Sequence, residues 1–154
     1  TLRTLFPYTT LFRSIPNTII NNGVYVKPSI VDAYVNDKDE IVEKIVPKIT
    51  TVLKRETAET VKRHMIDVVN NGTGDAAYIK GMDIGGKTGT TTYENGKKSD
   101  GWFVGFFNIN GKNYSMVVYV NDIKMNTAGI ADEEGGGTAA PIFKKVVNSL
   151  KNMS

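Results

Sequence analysis

The sequence predicts an α+β domain: an antiparallel sheet backed by a C-terminal helix and preceded by mainly helical material. Three observations predict it. Residues 55–71 carry an apolar stripe at helical spacing. The stretch "GWFVGFFNINGKNYSMVVYV" (101–120) reads as two aromatic and β-branched strands around Asn110-Gly111. From about Thr138 the periodicity becomes helical again. With 154 residues, 40% hydrophobic and 23% charged, the chain can form one globular unit with a buried core.

The elements follow in order. Residues 1–14, "TLRTLFPYTTLFRS", show neither a 2-residue nor a 3.6-residue period. They lack the apolar core and small-residue cleavage site of a signal peptide. Thr4–Ser14 also resembles the in-frame translation of a sequencing adapter. Residues 1–14 are therefore expected to be a non-native or disordered leader, with residues 15–154 forming the C-terminal half of a domain. "IPNTIINNG" reads as the last turns of a helix capped by Gly23. "VYVKPSIVDAYV" and "EIVEKIV" are β-branched runs flanking the turn residues Asn36, Asp37 and Asp39, and predict a two-stranded ribbon.

The strongest helix runs from Arg55 to Asn71. Ala58, Val61, Met65, Val68 and Val69 form one stripe, and Asn70, Asn71 and Gly72 stop it. "GTGDAAYIKG" reads as a loop with at most one helical turn. "MDIGGKTGT" suits a strand, since glycine and threonine are poor helix formers. "YENGKKSDG" reads as a polar loop, followed by the hairpin, whose Asn-Gly pair favours a type I′ turn. After the loop "NDIKMNTAGIADEEGGG" comes the last helix, starting at about Thr138. Its apolar face is Ala139, Ile142, Phe143, Val146, Val147 and Leu150, with Thr138 as cap and Pro141 in the first turn.

Composition excludes several functions. There is no cysteine, so disulfides, thiolate metal sites and a cysteine nucleophile are ruled out. The net charge is +3 and the basic residues are scattered, without the dense stripe that nucleic-acid binding requires. No stretch approaches the roughly 18 consecutive apolar residues of a membrane span.

The stretch "GMDIGGKTGT" (81–90) fits two chemistries. From Gly81 it spells G-x-x-x-x-G-K-T, the phosphate-cradling P-loop. That loop must join a buried strand to a helix whose N-terminus faces the phosphates. Here "TGTTTYENG" follows Lys87, a poor helix interior, and "GDAAYIK" upstream is no buried strand. From Lys87 the same stretch reads K-T-G-T. A strand at the edge of a cleft can present its backbone and hydroxyls to a bound peptide. Gly89 permits the closest approach, Thr88 and Thr90 leave the strand on one side, and Lys87 supplies positive charge. Two adjacent hydroxyls can hold a carboxylate. The plain alternative is a glycine-rich strand packed closely against a helix.

Further blocks accompany that motif. "INNGVYVKPSIV", "ETAETVKRHMIDVVNNGTGDAA", "GGKTGT", "DGWFVGFF" and "GGGTAAPIFKKVV" occur in the order and spacing of the transpeptidase domain of penicillin-binding proteins. From Ile15 to Leu150 the chain resembles that family, most closely its class B, monofunctional branch. The resemblance implies the β-lactamase/transpeptidase-like fold, represented by its antiparallel strands, the C-terminal helix and part of the helical subdomain. It implies acyl transfer on peptidoglycan through an acyl-serine, with stem peptides and β-lactams as ligands, and no cofactor or metal. The parent is implied to be membrane-anchored at the extracytoplasmic face. Carried onto this sequence, Lys87 joins the proton and charge network around the nucleophile. Thr88 and Thr90 bind the substrate carboxylate, and Gly89 keeps the strand open. The Thr90 N–H is one oxyanion donor, a contribution typically of about 3 kcal/mol.

Two of the family's three motifs are missing. The residues three positions after Ser14, Ser29, Ser99, Ser115 and Ser149 are Asn17, Asp32, Trp102, Val118 and Asn152, so no S-x-x-K occurs, and no S-x-N either. The nucleophile is expected upstream, and the fragment alone is expected to be inactive and poorly soluble. Lys54 stands where relatives usually carry a serine-like cap. A serine β-lactamase, a β-lactam-sensing domain, and a non-catalytic binding module of this fold are the remaining readings. His64 reads as a surface residue and Asp132, Glu133 and Glu134 as a solvated loop. Trp102, Phe103, Phe106 and Phe107 read as core packing by default.

Overall fold

A computed structural model describes residues 5–93, 98–124 and 135–153, with side chains from Phe12 onward except that of Lys124. The chain begins with α1 (Leu5–Ile20) and continues through β1 (Val24–Val26), β2 (Ala33–Val35), β3 (Ile41–Lys44) and β4 (Ile49–Thr51). Then come α2 (Arg55–Asn71), a 3₁₀ turn (Asp75–Ala77), β5 (Gly85–Tyr93), β6 (Lys98–Ile109), β7 (Lys112–Lys124) and α3 (Gly135–Met153).

The centre is an antiparallel sheet in the order β5-β6-β7. Its hairpin turns where expected: Asn110 and Gly111 have φ of 51° and 77°, the left-handed pair of a type I′ turn. On one face Phe103, Phe107 and Ile109 bury themselves against Ala139, Ala140, Phe143 and Val147 of α3 and Ala77 of the 3₁₀ turn. On the other, Phe106 meets Ile19 and Ile20 of α1 and Val61, Met65 and Ile66 of α2. Three layers result, with the sheet in the middle.

The glycines before Lys87 make this packing possible. A Cβ on Gly85 would lie 2.1 Å from the ring of Phe106, and one on Gly86 would lie 2.2 Å from the ring of Phe103. The two rings lie on opposite faces, so the paired glycines are holes that bring β5 close to both core layers. Burying a side chain of phenylalanine size contributes roughly 1.5–3 kcal/mol.

The ribbon forms in two lengths of one arm: β1 pairs with β4, and β2 with β3 beyond it. Asp39 takes a left-handed φ of 61° in its turn. The arm leaves Ile30, Ile41, Val42 and Val46 exposed. α2 has the bounds the apolar stripe predicts, and Lys54 precedes it with extended backbone and no side-chain cap bond.

Three expectations differ from the structure. The helix ending at "NTII" continues upstream to Leu5, so residues 5–14 are helical despite lacking a period. Pro16 lies inside that helix with its ring fully buried, and Thr18 Oγ1 donates to Ser14 O at 2.8 Å. The last helix starts at Gly135, not Thr138, placing Thr138 and Pro141 inside it. Contact with β5 and β6, described below, outweighs the low helix propensity of glycine. The strands also run further than expected, to Tyr93 and from Lys98, into what reads as a polar loop. Residues 94–97, and Asp132, Glu133 and Glu134, lie outside the described residues.

Candidate functional site

The K-T-G residues occupy the middle of β5, where Lys87 pairs with Val104, Thr88 with Phe103, Gly89 with Trp102 and Thr90 with Gly101. Alternation along the strand separates them. Lys87, Gly89 and Thr91 share the face of Trp102 and Val104. Thr88 and Thr90 share the opposite face, toward α3.

On the first face lies a cavity of about 560 Å³, roofed by α1 and α2 and floored by β5 and β6. Ile15, Ile19, Val61, Met65, Trp102 and Val104 make it apolar, with Lys87 to Thr91 along its margin. A second pocket of about 420 Å³, between α1, the ribbon and β7, contains none of the K-T-G residues. The site is therefore assigned to the first.

On the second face the two threonine hydroxyls are already engaged. Thr88 Oγ1 lies 2.8 Å from Thr73 Oγ1, in the loop after α2. Thr90 Oγ1 accepts the N–H of Gly135, the first residue of α3, at 3.1 Å. The α3 N-terminus thus points its positive end at these hydroxyls. Gly135 is needed there, since a Cβ would lie 2.2 Å from Gly89 O and 2.8 Å from Trp102 O. A Cβ on Gly136 would lie 2.3 Å from Thr73 O. Thr73, Gly135 and Gly136 are candidate site residues that the motif reading did not name; "NNGTG" and "GGGT" were read as a helix stop, a loop end and parts of two family-like blocks, with no site role.

Lys87 is exposed, and its Nζ donates to Thr88 O at 2.7 Å. Among the described residues no carboxylate lies within ion-pair distance of it. Its charge is met by no carboxylate among the described residues, which leaves it able to meet an incoming anion. His64 is exposed on α2, away from the cavity lining. Phe103, Phe106 and Phe107 are buried core, as expected, whereas Trp102 is half-buried and forms cavity floor.

Beyond Thr90 the cavity face ends in a polar cluster. Asp100 Oδ2 accepts from Tyr119 Oη at 2.8 Å, and Oδ1 accepts from the Asp122 N–H at 3.0 Å and Tyr93 Oη at 3.1 Å. Burial pushes the Asp100 carboxyl up, but the bonds from Tyr119, the Asp122 N–H and Tyr93 outweigh it and hold the group below its ordinary value. Both phenols move up. For Tyr119 the hydrogen bond to Asp100 leads and burial follows; for Tyr93 burial leads and the Asp100 bond follows.

Among the described residues no cluster of three or more histidine and carboxylate side chains could hold a metal. No helix there is long and apolar enough to cross a membrane.

The family model for the penicillin binding protein transpeptidase domain matches residues 14–148. The chain belongs to that family. It is 34% identical over 117 residues to a probable peptidoglycan D,D-transpeptidase PenA of Neisseria flavescens, covering 72% of this chain and 28% of that protein. It is 30% identical over 145 residues to the penicillin-binding protein PbpB of Mycolicibacterium smegmatis, covering 86% of this chain and 22% of that one. Among solved structures, the D,D-transpeptidase domain of a peptidoglycan glycosyltransferase from Eggerthella lenta superposes with a TM-score of 0.73 at 31% identity, over 92% of this chain and 31% of that one. Penicillin binding protein 3 of Mycobacterium tuberculosis, complexed with aztreonam, has a TM-score of 0.74 at 24% identity and shares the fold. The transpeptidase segment described here spans between 22% and 34% of the length of each of these relatives.

Proposed function

We propose that this transpeptidase segment supplies the carboxylate-gripping wall of a penicillin-sensitive D,D-transpeptidase, of which residues 15–154 form the C-terminal half. The parent cross-links peptidoglycan stem peptides through an acyl-serine at the extracytoplasmic face and is acylated by β-lactams. The observation that carries this reading is β5 itself. Its motif lies at an apolar cavity, with an ammonium that has no carboxylate partner among the described residues on one face and two hydroxyls, one of them bonded to a helix N-terminus, on the other.

In this reading the acid end of the ligand meets Thr88 and Thr90, with the α3 N-terminus behind them. Lys87 brings positive charge to the reacting centre, and Gly89 lets the ligand backbone lie against the strand. The Thr90 N–H is one of two oxyanion donors, the other belonging to the residue that bears the nucleophile. No serine here has a lysine three residues later, so attack requires a serine from outside this chain.

The test is a pair of measurements with benzylpenicillin. Intact mass spectrometry of the 154-residue chain should show no covalent adduct. Fluorescence titration of Trp102, the single tryptophan, should show saturable reversible binding, abolished in Thr88→Val/Thr90→Val. A covalent adduct would refute the placement of the nucleophile outside the chain. Binding undiminished in the double variant would refute the role of β5.

A further inference from the structure

The polar cluster at the end of the cavity face is built around a defect in the sheet. β6 and β7 pair regularly up to Gly101↔Val120 and resume at Ser99↔Ile123, so Asn121 and Asp122 together oppose Asp100. An extra residue of this kind leaves backbone groups without their ladder partners. Asp122 sits at the bulge with a left-handed φ of 57°, and its N–H goes to Asp100 Oδ1 instead of to a strand. Lys98 Nζ then holds the Asp122 carboxylate at 3.2 Å.

The same Asp100 carboxylate reaches both neighbouring strands. Tyr93 Oη on β5 and Tyr119 Oη on β7 both donate to it. Tyr93 is three residues beyond Thr90, or about 10 Å along the strand. The Tyr119 ring leans on the Trp102 indole, with centroids 4.2 Å apart at 37°. Trp102 is the register partner of Gly89 and part of the cavity floor. A continuous path of contacts therefore runs from Asp100 through Tyr119 to the surface beside Gly89.

We propose that Asp100 is a positioning residue: it anchors the far end of β5 through Tyr93 and sets the Trp102 indole beside Gly89 through Tyr119. The inference rests on reading β5 as the ligand-gripping strand. It goes beyond that reading by assigning the shape of the apolar floor to a carboxylate that does not line the cavity. Asp100 accepts from donors on both neighbouring strands, and one of those donors, Tyr119, packs against the Trp102 indole of the cavity floor.

The test uses the 154-residue chain and its single tryptophan. In Asp100→Asn, Trp102 emission should shift to longer wavelength and its anisotropy should fall. Benzylpenicillin affinity should drop about tenfold, the size expected for losing hydrogen bonds to a charged group. Tyr119→Phe keeps the ring and removes the hydroxyl, and should reproduce both effects; it also carries the test if Asp100→Asn does not fold. Unchanged emission and affinity in Tyr119→Phe would overturn the proposal. If the unsubstituted chain fails to bind benzylpenicillin, the reading of β5 falls on its own. The Trp102 signature then decides: a shift in both variants upholds Asp100 as the residue that places the indole, and no shift refutes it.

Discussion

The side-chain oxygens of Thr73 and Thr88 lie 2.8 Å apart, joining the loop after α2 to the K-T-G strand. One hydroxyl must donate to the other, so the Thr88 rotamer is held before any ligand arrives. Thr73→Val removes that restraint and leaves the Thr88 hydroxyl in place. Denaturant unfolding should show a loss of about 0.5–1.5 kcal/mol, the net worth of one hydrogen bond. Benzylpenicillin binding should weaken less than in Thr88→Val, which deletes the proposed contact itself.

Gly135→Ala tests the junction between α3 and the site. Alanine favours a helix over glycine by about 1 kcal/mol. Here its Cβ would lie 2.2 Å from Gly89 O and 3.0 Å from Trp102 N, backbone atoms that cannot turn aside. Overpacking of that kind costs roughly 1–3 kcal/mol. The variant should be less stable in urea despite its better propensity, and a stability gain would contradict the close approach.

Asp100 gives the fold an acid limb. Its folded-state pKa lies below the ordinary 3.8, so the stabilisation is present above that value. It is lost as pH falls through the lower folded value. Tyr93 and Tyr119, both raised above 10.0, give the opposite limb: their contribution is complete below 10.0 and lost as pH rises through the folded values. Stability measured against pH should lose the acid limb in Asp100→Asn and keep only the burial-driven part of the alkaline one, and spectrophotometric titration should show Tyr119 moving earlier more than Tyr93.

Ser99 is fully buried, and its hydroxyl has no partner among the described residues. An unsatisfied buried hydroxyl costs roughly 1–3 kcal/mol. Ser99→Ala removes the group with little change in shape, so the melting temperature should rise. A fall would mean that the hydroxyl is satisfied in solution.

Lys54 precedes α2 in extended conformation with no side-chain cap bond. Lys54→Ser should add about 1 kcal/mol by giving an orphan N–H of the first turn an acceptor. Circular dichroism during thermal unfolding reads this directly, with no effect expected at the cavity.

Local signals carried much of the fold into the sequence. The α2 stripe and its Asn-Asn-Gly stop set both ends of that helix, and Asn110-Gly111 set the hairpin register. The start of α3 was hidden because Gly135 serves a contact with Gly89, far away in the chain. Residues 5–14 were hidden because their helix has no period of its own to read. At the site, "KTGT" was legible as a motif and its alternation as geometry. Thr73 and the Tyr93–Asp100–Tyr119 cluster were not, since only the folded sheet register brings those residues together.

Alternation along β5 puts the ammonium of Lys87 and the hydroxyls of Thr88 and Thr90 on opposite sides of a single ribbon of backbone. A ligand that engages all three must reach both flanks from the one cavity that Lys87 to Thr91 border. A stiff, folded molecule with its acid group set at an angle to its body meets that demand without bending first. A straight polyanion would reach one flank and leave the other dry. On the proposed function, the pleat of one strand would select ligands by their outline before any bond is made or broken.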